Sequence, residues 1–190
     1  MDWGMVKPDT HPSGVIAGGM SDGSLMIWDA DVLLNGGTAE EAELCNMGLY
    51  NDGEFFSLEF NSIKKEWLAT GGDNVYIVNL EKINEPDVYS PNATASEPGA
   101  FITSVSWNKH QKFPHILASG SANGEVNIWD LKVKKSIFSF SNKKLAQEVD
   151  KNLQICWNPN IPTQIAVTFD CDKEVALQIW DLRNQKAPVT

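Results

Sequence analysis

Four stretches of this chain repeat one short text at nearly constant spacing, and no other feature constrains the fold as strongly. The clearest copy runs from Ile116 to Leu131: an apolar stretch, a turn at Asn123-Gly124, and a second apolar stretch closing on Trp129-Asp130. Two such stretches around an Asn-Gly pair predict a β-hairpin. The same pattern closes on Trp28-Asp29 after Ile16-Ala17-Gly18-Gly19, on Val78-Asn79 after Ala69-Thr70-Gly71-Gly72, and on Trp180-Asp181 after Ile165. Positions 28, 78, 129 and 180 are 50, 51 and 51 residues apart. A hairpin recurring at so regular a period marks a repeat architecture, in which each unit buries its apolar face on the next.

Each hairpin has a second anchor upstream: Trp3, Phe60, Trp107 and Trp157, which lie 25, 18, 22 and 23 residues before the hairpin anchors. Alternation in Phe56, Leu58 and Phe60, and again in Leu153, Ile155 and Trp157, makes these anchors the ends of half-buried strands. A further short strand follows the first three hairpins, near residues 44–49, 88–89 and 136–140. The expectation is an all-β chain of four units, spanning approximately 1–48, 49–99, 100–150 and 151–190, built on four strands each. Asp22-Gly23 is expected to supply the two positive φ angles of a type I′ turn. Residues 31–42, with Asn35-Gly36-Gly37, read as an irregular connector.

Trp-Asp closing the third of four strands resembles the WD-repeat β-propeller, a ring of small antiparallel sheets packed face to face. Under that resemblance Ser119 and Thr70 stand where a hydroxyl often accepts from a Trp ring nitrogen, and a buried indole needs such an acceptor. The Gly-His dipeptide that usually completes the network is absent from every unit. Val78-Asn79 departs from Trp-Asp and loses the indole. The tryptophans recur too strictly to be a ligand platform and are read as core.

A 190-residue chain holds about 3.8 such periods, whereas propellers close with about four to eight blades. An incomplete ring is therefore expected. Its open end should expose an apolar sheet face lined by Leu153, Ile155 and Trp157 or their partners.

Charge and motif content exclude other classes. Net charge is −10, from 15 Lys and Arg against 25 Asp and Glu, so the chain has no general reason to seek nucleic acid phosphates. Lysines 132, 134, 135, 143, 144 and 151 form a local basic patch, and Glu40, Glu41 and Glu43 an acidic one; each reads as a solvated face or, less readily, as a docking site. The N-terminus lacks a basic, apolar leader, and the run from Gly14 to Met20 is too short to span a bilayer, so a cytosolic-type protein is expected. Cys45, Cys156 and Cys171 have neither disulfide-framework nor zinc spacing. Asn92-Ala93-Thr94 matches a glycosylation sequon, which has no use without a secretory signal. His11 and His115, each eight residues after an anchor, are expected at equivalent loop positions, with His110 on a surface loop. No nucleophile elbow, phosphate loop or metal-ligand spacing appears. Catalytic residues, cofactor and metal are accordingly expected to be none.

The text narrows further. Ser104-Val-Ser-Trp-Asn108, Phe113-Pro-His-Ile-Leu-Ala-Ser119 and Ile128-Trp-Asp-Leu-Lys132 resemble the N-terminal propeller of the larger subunit of the COPII outer coat. So do Gln154-Ile-Cys-Trp-Asn-Pro159, Thr163-Gln-Ile-Ala166 and Gln178-Ile-Trp-Asp-Leu-Arg183. That resemblance implies seven blades, of which about four are present, followed in the family by a helical rod and a proline-rich tail. It also implies a structural role without catalysis, in a cage around vesicles leaving the endoplasmic reticulum toward the Golgi. The implied partners are other coat subunits, including a smaller WD-repeat propeller, with membrane contact only through the coat. The implied place is the cytosolic face of endoplasmic reticulum exit sites. A generic WD-repeat adaptor binding a peptide or protein is the alternative, and an enzyme would need a convergent polar set that the sequence does not offer.

Overall fold

Alternating apolar residues form strands throughout the computed structural model, which describes residues 1–49, 53–91, 101–141, 153–169, 177–184 and 187–189. The first sheet contains β1 (Asp2–Gly4), β2 (Val15–Gly19), β3 (Ser24–Asp29) and β4 (Glu43–Leu49), with α1 (Ala30–Leu34) and α2 (Ala39–Ala42) between the last two strands. The second contains β5 (Ser57–Phe60), β6 (Trp67–Gly71), β7 (Val75–Asn79) and β8 (Asp87–Tyr89). The third contains β9 (Ile102–Trp107), β10 (Ile116–Ser121), β11 (Glu125–Asp130) and β12 (Lys135–Ser141). The fourth contains β13 (Leu153–Trp157), β14 (Gln164–Phe169) and β15 (Leu177–Asp181). Every sheet is antiparallel with its strands in chain order, and β1, β5, β9 and β13 lie nearest the neighbouring sheets.

Repeated text gives repeated register. The two anchors of a unit face one central residue of its second strand: Trp3↔Ile16↔Trp28, Phe60↔Leu68↔Val78, Trp107↔Leu117↔Trp129 and Trp157↔Ile165↔Trp180.

The Asp22-Gly23 turn is not type I′. Gly23 has φ +84°, but Asp22 stays in the negative region. Gly23 N–H donates to the Met20 carbonyl (3.2 Å) and Met20 N–H to that of Ser24 (2.8 Å), so one ordinary turn is followed by a single left-handed glycine. Asp22 is retained for its side chain, which accepts from the Ser24 amide (2.9 Å) and hydroxyl (2.7 Å). Asn123-Gly124 repeats the arrangement: Gly124 has φ +80°, and the Asn123 side chain accepts from the Glu125 amide (3.1 Å).

The connector at 31–42 also differs from expectation, because it holds both helices. Asp29 caps α1, and a reciprocal Thr38–Glu41 capping box starts α2. The Glu41 carboxylate therefore accepts from the Thr38 amide and is not simply part of an acidic patch.

The sheets stack in chain order through three apolar seams. Val15, Ala17, Leu25 and Ile27 meet Phe60, Leu68 and Val78; Ala69 and Ile77 meet Trp107, Leu117 and Trp129; Val126, Ile128 and Phe140 meet Leu153, Ile155, Trp157 and Trp180. A buried aromatic removes about 150–250 Å² from water, or roughly 4–6 kcal/mol gross at about 25 cal/mol per Å². Contact at the seams is close: a Cβ on Gly120 would lie 2.0 Å from a Leu153 methyl.

Among the described residues no such seam joins the fourth sheet to the first. Leu153, Ile155 and Trp157, expected on the open face, are instead buried against the third sheet. The opposite face of the fourth sheet is the uncovered one, with Leu177 54% and Ile179 37% exposed. Trp3, read as core, is 51% exposed, and Trp28 is half-buried, because among the described residues no sheet packs on that face of theirs. The enlarged turn at 170–174, the sequon at 92–94, Cys171 and lysines 143, 144 and 151 lie outside the described residues.

Candidate functional site

The polar groups at the seams repeat as faithfully as the apolar ones. The indole of each buried upstream anchor donates to the carbonyl one residue before the preceding anchor: Trp107 Nε1 to Glu59 O (2.8 Å) and Trp157 Nε1 to Ser106 O (2.9 Å). A serine three residues before one anchor accepts the amide two residues before the next: Val105 N–H to Ser57 Oγ (3.0 Å) and Ile155 N–H to Ser104 Oγ (3.1 Å). The residue before an anchor can accept through a carboxylate as well, from Phe60 N–H to Asp2 (2.6 Å) and from Trp107 N–H to Glu59 (2.5 Å). The asparagine after an anchor reaches forward, Asn61 Nδ2 to Pro114 O (2.7 Å) and Asn108 Nδ2 to Pro162 O (3.0 Å). These asparagines stand beside the sequence anchors, but their role appears only when sheets about 50 residues apart are brought together.

The Trp-Asp anchors divide into two jobs. All four carboxylate or amide positions accept from the amide two residues on: Asp29 to Asp31 (2.8 Å), Asn79 to Glu81 (3.0 Å), Asp130 to Lys132 (2.9 Å) and Asp181 to Arg183 (3.0 Å). Asn79 can replace aspartate there because only an acceptor oxygen is required. The indoles are less uniform. Trp129 Nε1 donates to Ser119 Oγ at 2.7 Å, as the resemblance implied, and Trp180 Nε1 to Gln178 Oε1 at 3.1 Å. Trp28 Nε1 is buried without an acceptor, since Gly18 occupies the serine position and the indole lies across it, 2.7 Å from where a Cβ would sit. Thr70, in the unit where Val78 stands in place of the indole, has a buried hydroxyl without a partner. Hydroxyl and indole are thus both present only in the third unit.

Histidines 11 and 115 are not equivalent. The carbonyl of Gly14 accepts Ala30 N–H as that of His115 accepts Leu131 N–H, which aligns His115 with Gly14. His11 Nδ1 instead meets Asp29 Oδ2 at 2.8 Å, and His110 packs on Phe113 with ring centroids 5.6 Å apart.

Charged and apolar surface groups surround the inner strands. Lys109 pairs with Glu59 beside a cleft of about 390 Å³ that also takes in Asp2, Trp3 and Lys65. Phe56 and Phe101, both exposed, meet with ring centroids 5.7 Å apart and planes tilted by 52°, each just ahead of the first residue of its strand, β5 and β9. Within the basic patch, Lys132 and Lys135 are exposed, while the Lys134 ammonium sits 4.7 Å over the Tyr89 ring of the second sheet. Cys45 and Cys156 are free thiols, burial pushing Cys45 above its usual range. Among the described residues there is no His, Cys, Asp and Glu group suited to a metal ion, and no helix long and apolar enough to cross a membrane.

Four antiparallel sheets, stacked through their anchors and closed by this hairpin signature, are blades of a WD-repeat β-propeller, and residues 90–130 match the family model described as WD domain, G-beta repeat. Over 98% of its length the chain is similar to protein transport protein SEC31: 34% identical to that of Dictyostelium discoideum and 36% to that of Pyricularia oryzae. It spans 14% of the length of each of these relatives. A solved structure titled "COPII on membranes, outer coat vertex" matches with TM-score 0.73 at 25% identity, covering 92% of this chain and 45% of that one.

Proposed function

We propose that this chain is a structural, non-catalytic stretch of propeller in the COPII outer coat. In that role it supports vesicle budding from the endoplasmic reticulum toward the Golgi through protein contacts. The observation that carries the reading is the match of the stacked sheets to the outer coat vertex over 92% of the chain, with SEC31 as the relative along nearly the same span. Its physical support is the construction of the seams. Buried indoles, serines and asparagines fix each blade on the next, leaving the rims free to carry partner contacts such as the Phe56–Phe101 pair. The partners are other coat subunits, including a smaller WD-repeat propeller, and the site of action is the cytosolic face of endoplasmic reticulum exit sites. Membrane contact is made only through the coat, and nucleic acid is not a partner.

The test is a chimera in which this chain replaces the aligned stretch of Dictyostelium SEC31. Restored cargo export and co-assembly with coat subunits are expected. A folded, stably expressed chimera that neither joins the coat nor restores export would overturn the reading.

A further inference from the structure

We propose that the connectors closing the third sheet, with the β5–β6 connector beside them, form a docking surface for an extended acidic segment of a partner protein. The fold segregates charge. Antiparallel strands in chain order put the β1–β2 and β3–β4 connectors, and their counterparts in the later sheets, at one end. Paired bonds from Ser57 and Glu59 to Val105 and Trp107, and from Ser104 and Ser106 to Ile155 and Trp157, run the inner strands in parallel, while Phe55 ahead of β5 packs on Gly19 at the close of β2. The sheets therefore share that end. Every lysine and arginine among the described residues lies there.

Within this end the charge divides again. Residues 61–66, 108–115 and 131–134 hold six lysines against one carboxylate, Glu66, and Lys135 follows as β12 begins. The β1–β2 and β3–β4 connectors instead set Lys7 against Asp9, Asp31, Glu40 and Glu41. The three basic connectors are neighbours. Asn61 Nδ2 donates to the Pro114 carbonyl (2.7 Å), and the Leu131 amide to that of His115 (3.0 Å). Two ammonium groups are held on rings of the second sheet: Lys134 lies 4.7 Å over Tyr89, and Lys64 5.8 Å over Trp67. Burial first, and the charge of Lys132 next, push the His115 imidazole below its ordinary value, which sets Lys132 beside it. Among these cations Phe113 is 39% and Val133 55% exposed. Lys109 alone of them has a carboxylate partner among the described residues, Glu59.

Lysines interleaved with exposed apolar side chains fit a segment that mixes carboxylates with apolar residues. A peptide offers both, whereas a phosphate backbone offers only the charge. A bilayer laid over this end would also meet Asp31, Glu40 and Glu41 on the first sheet, which a narrow segment avoids. A second copy is a poor source of the acid, since Asp31 already accepts from Ser13 and Glu41 from Thr38. The surface lies at the opposite end from Phe56 and Phe101, so it adds a contact to those proposed above and does not depend on which assembly the chain serves.

Fluorescence anisotropy on the purified chain tests this, with a labelled peptide of alternating glutamate and leucine as probe. Controls are the same peptide with lysine for glutamate, phosphatidylserine vesicles and oligothymidylate. Saturable binding of the acidic peptide is expected, weakening as salt rises above about 0.15 M. Lys112→Glu with Lys132→Glu should lower the affinity at least about tenfold. Lys7→Glu with Lys82→Glu, the same change in net charge at the same end, should lower it less than about twofold. All four side chains are exposed, so β-sheet circular dichroism should be unchanged. Should the first pair lose it, Lys112→Gln with Lys132→Gln takes its place, with a loss of at least about threefold. No binding of the acidic peptide, equal losses in the two pairs, or tighter binding to the basic peptide, the vesicles or the oligonucleotide would each overturn the proposal. Peptide binding that persists where the SEC31 chimera fails, or the reverse, separates this inference from the coat reading.

Discussion

A buried hydroxyl or indole N–H costs stability when it lacks a hydrogen-bond partner, and this chain supplies both paired and unpaired cases. Ser119→Ala would leave Trp129 Nε1 without its acceptor, a change expected to cost about 1–3 kcal/mol. Thr70→Val removes a hydroxyl that has no partner, so it is expected to cost under about 0.5 kcal/mol or to stabilise. Urea midpoints compare the two, and equal losses would contradict the assignment. The Thr70 position was legible from its spacing, but the absence of a matching indole at Val78 left its hydroxyl's fate to the packing. Trp3 was misread as core for a related reason: periodicity marks the side of the strand an anchor occupies, whereas burial depends on a neighbouring sheet. Acid sensitivity belongs at this scale too. The Ser13 hydroxyl, and next its amide, hold the Asp31 carboxyl below its ordinary value. Because the folded value is the lower one, the contribution is complete above the unfolded value of about 3.9 and is lost as pH falls below it. Asp31→Asn is expected to flatten the fall in stability below about pH 4; an unchanged slope there in acid titrations of thermal midpoint would count against it.

Among the elements, the hairpins were readable because each is local: apolar alternation and a closing anchor fall close together, and in the first and third units an Asx-Gly turn stands between them, all within about 16 residues. The helices α1 and α2 were not, since five and four residues are too few to display a helical period, and Asn35-Gly36-Gly37 dominated the text around them. The seams were invisible for another reason. Asn61 and Asn108 bond to residues 53 and 54 positions away, and no local pattern announces such a partner. Asn108→Asp keeps the oxygen that accepts from His110 N–H but sets a carboxylate against the Pro162 carbonyl, and should cost about 2 kcal/mol. Asn158→Asp keeps the equivalent acceptor for Asn160 and Ile161 and faces only Gln164, whose amide can turn to donate; its cost should be under about 0.5 kcal/mol. Denaturant midpoints that rank the two variants the other way would show that the forward asparagine bond does not hold the blades.

Across the whole molecule, these four units form one stacked arc of propeller blades, each fixed by its neighbour. The alternative is a string of independent small sheets, and the inner strands distinguish the two. In an isolated sheet the outward amides of β9 and β13 would face water. In the arc, Val105 N–H is held by Ser57, Trp107 N–H by Glu59 and Ile155 N–H by Ser104 on the preceding sheet. Amide hydrogen exchange followed residue by residue reads this directly, because such amides open only when the seam opens. The arc predicts that Val105, Trp107 and Ile155 exchange as slowly as the central-strand amides of β10 and β14, and that Ser57→Ala speeds Val105 selectively. Exchange of all three near the free-chain rate, while the central strands stay protected, would contradict it.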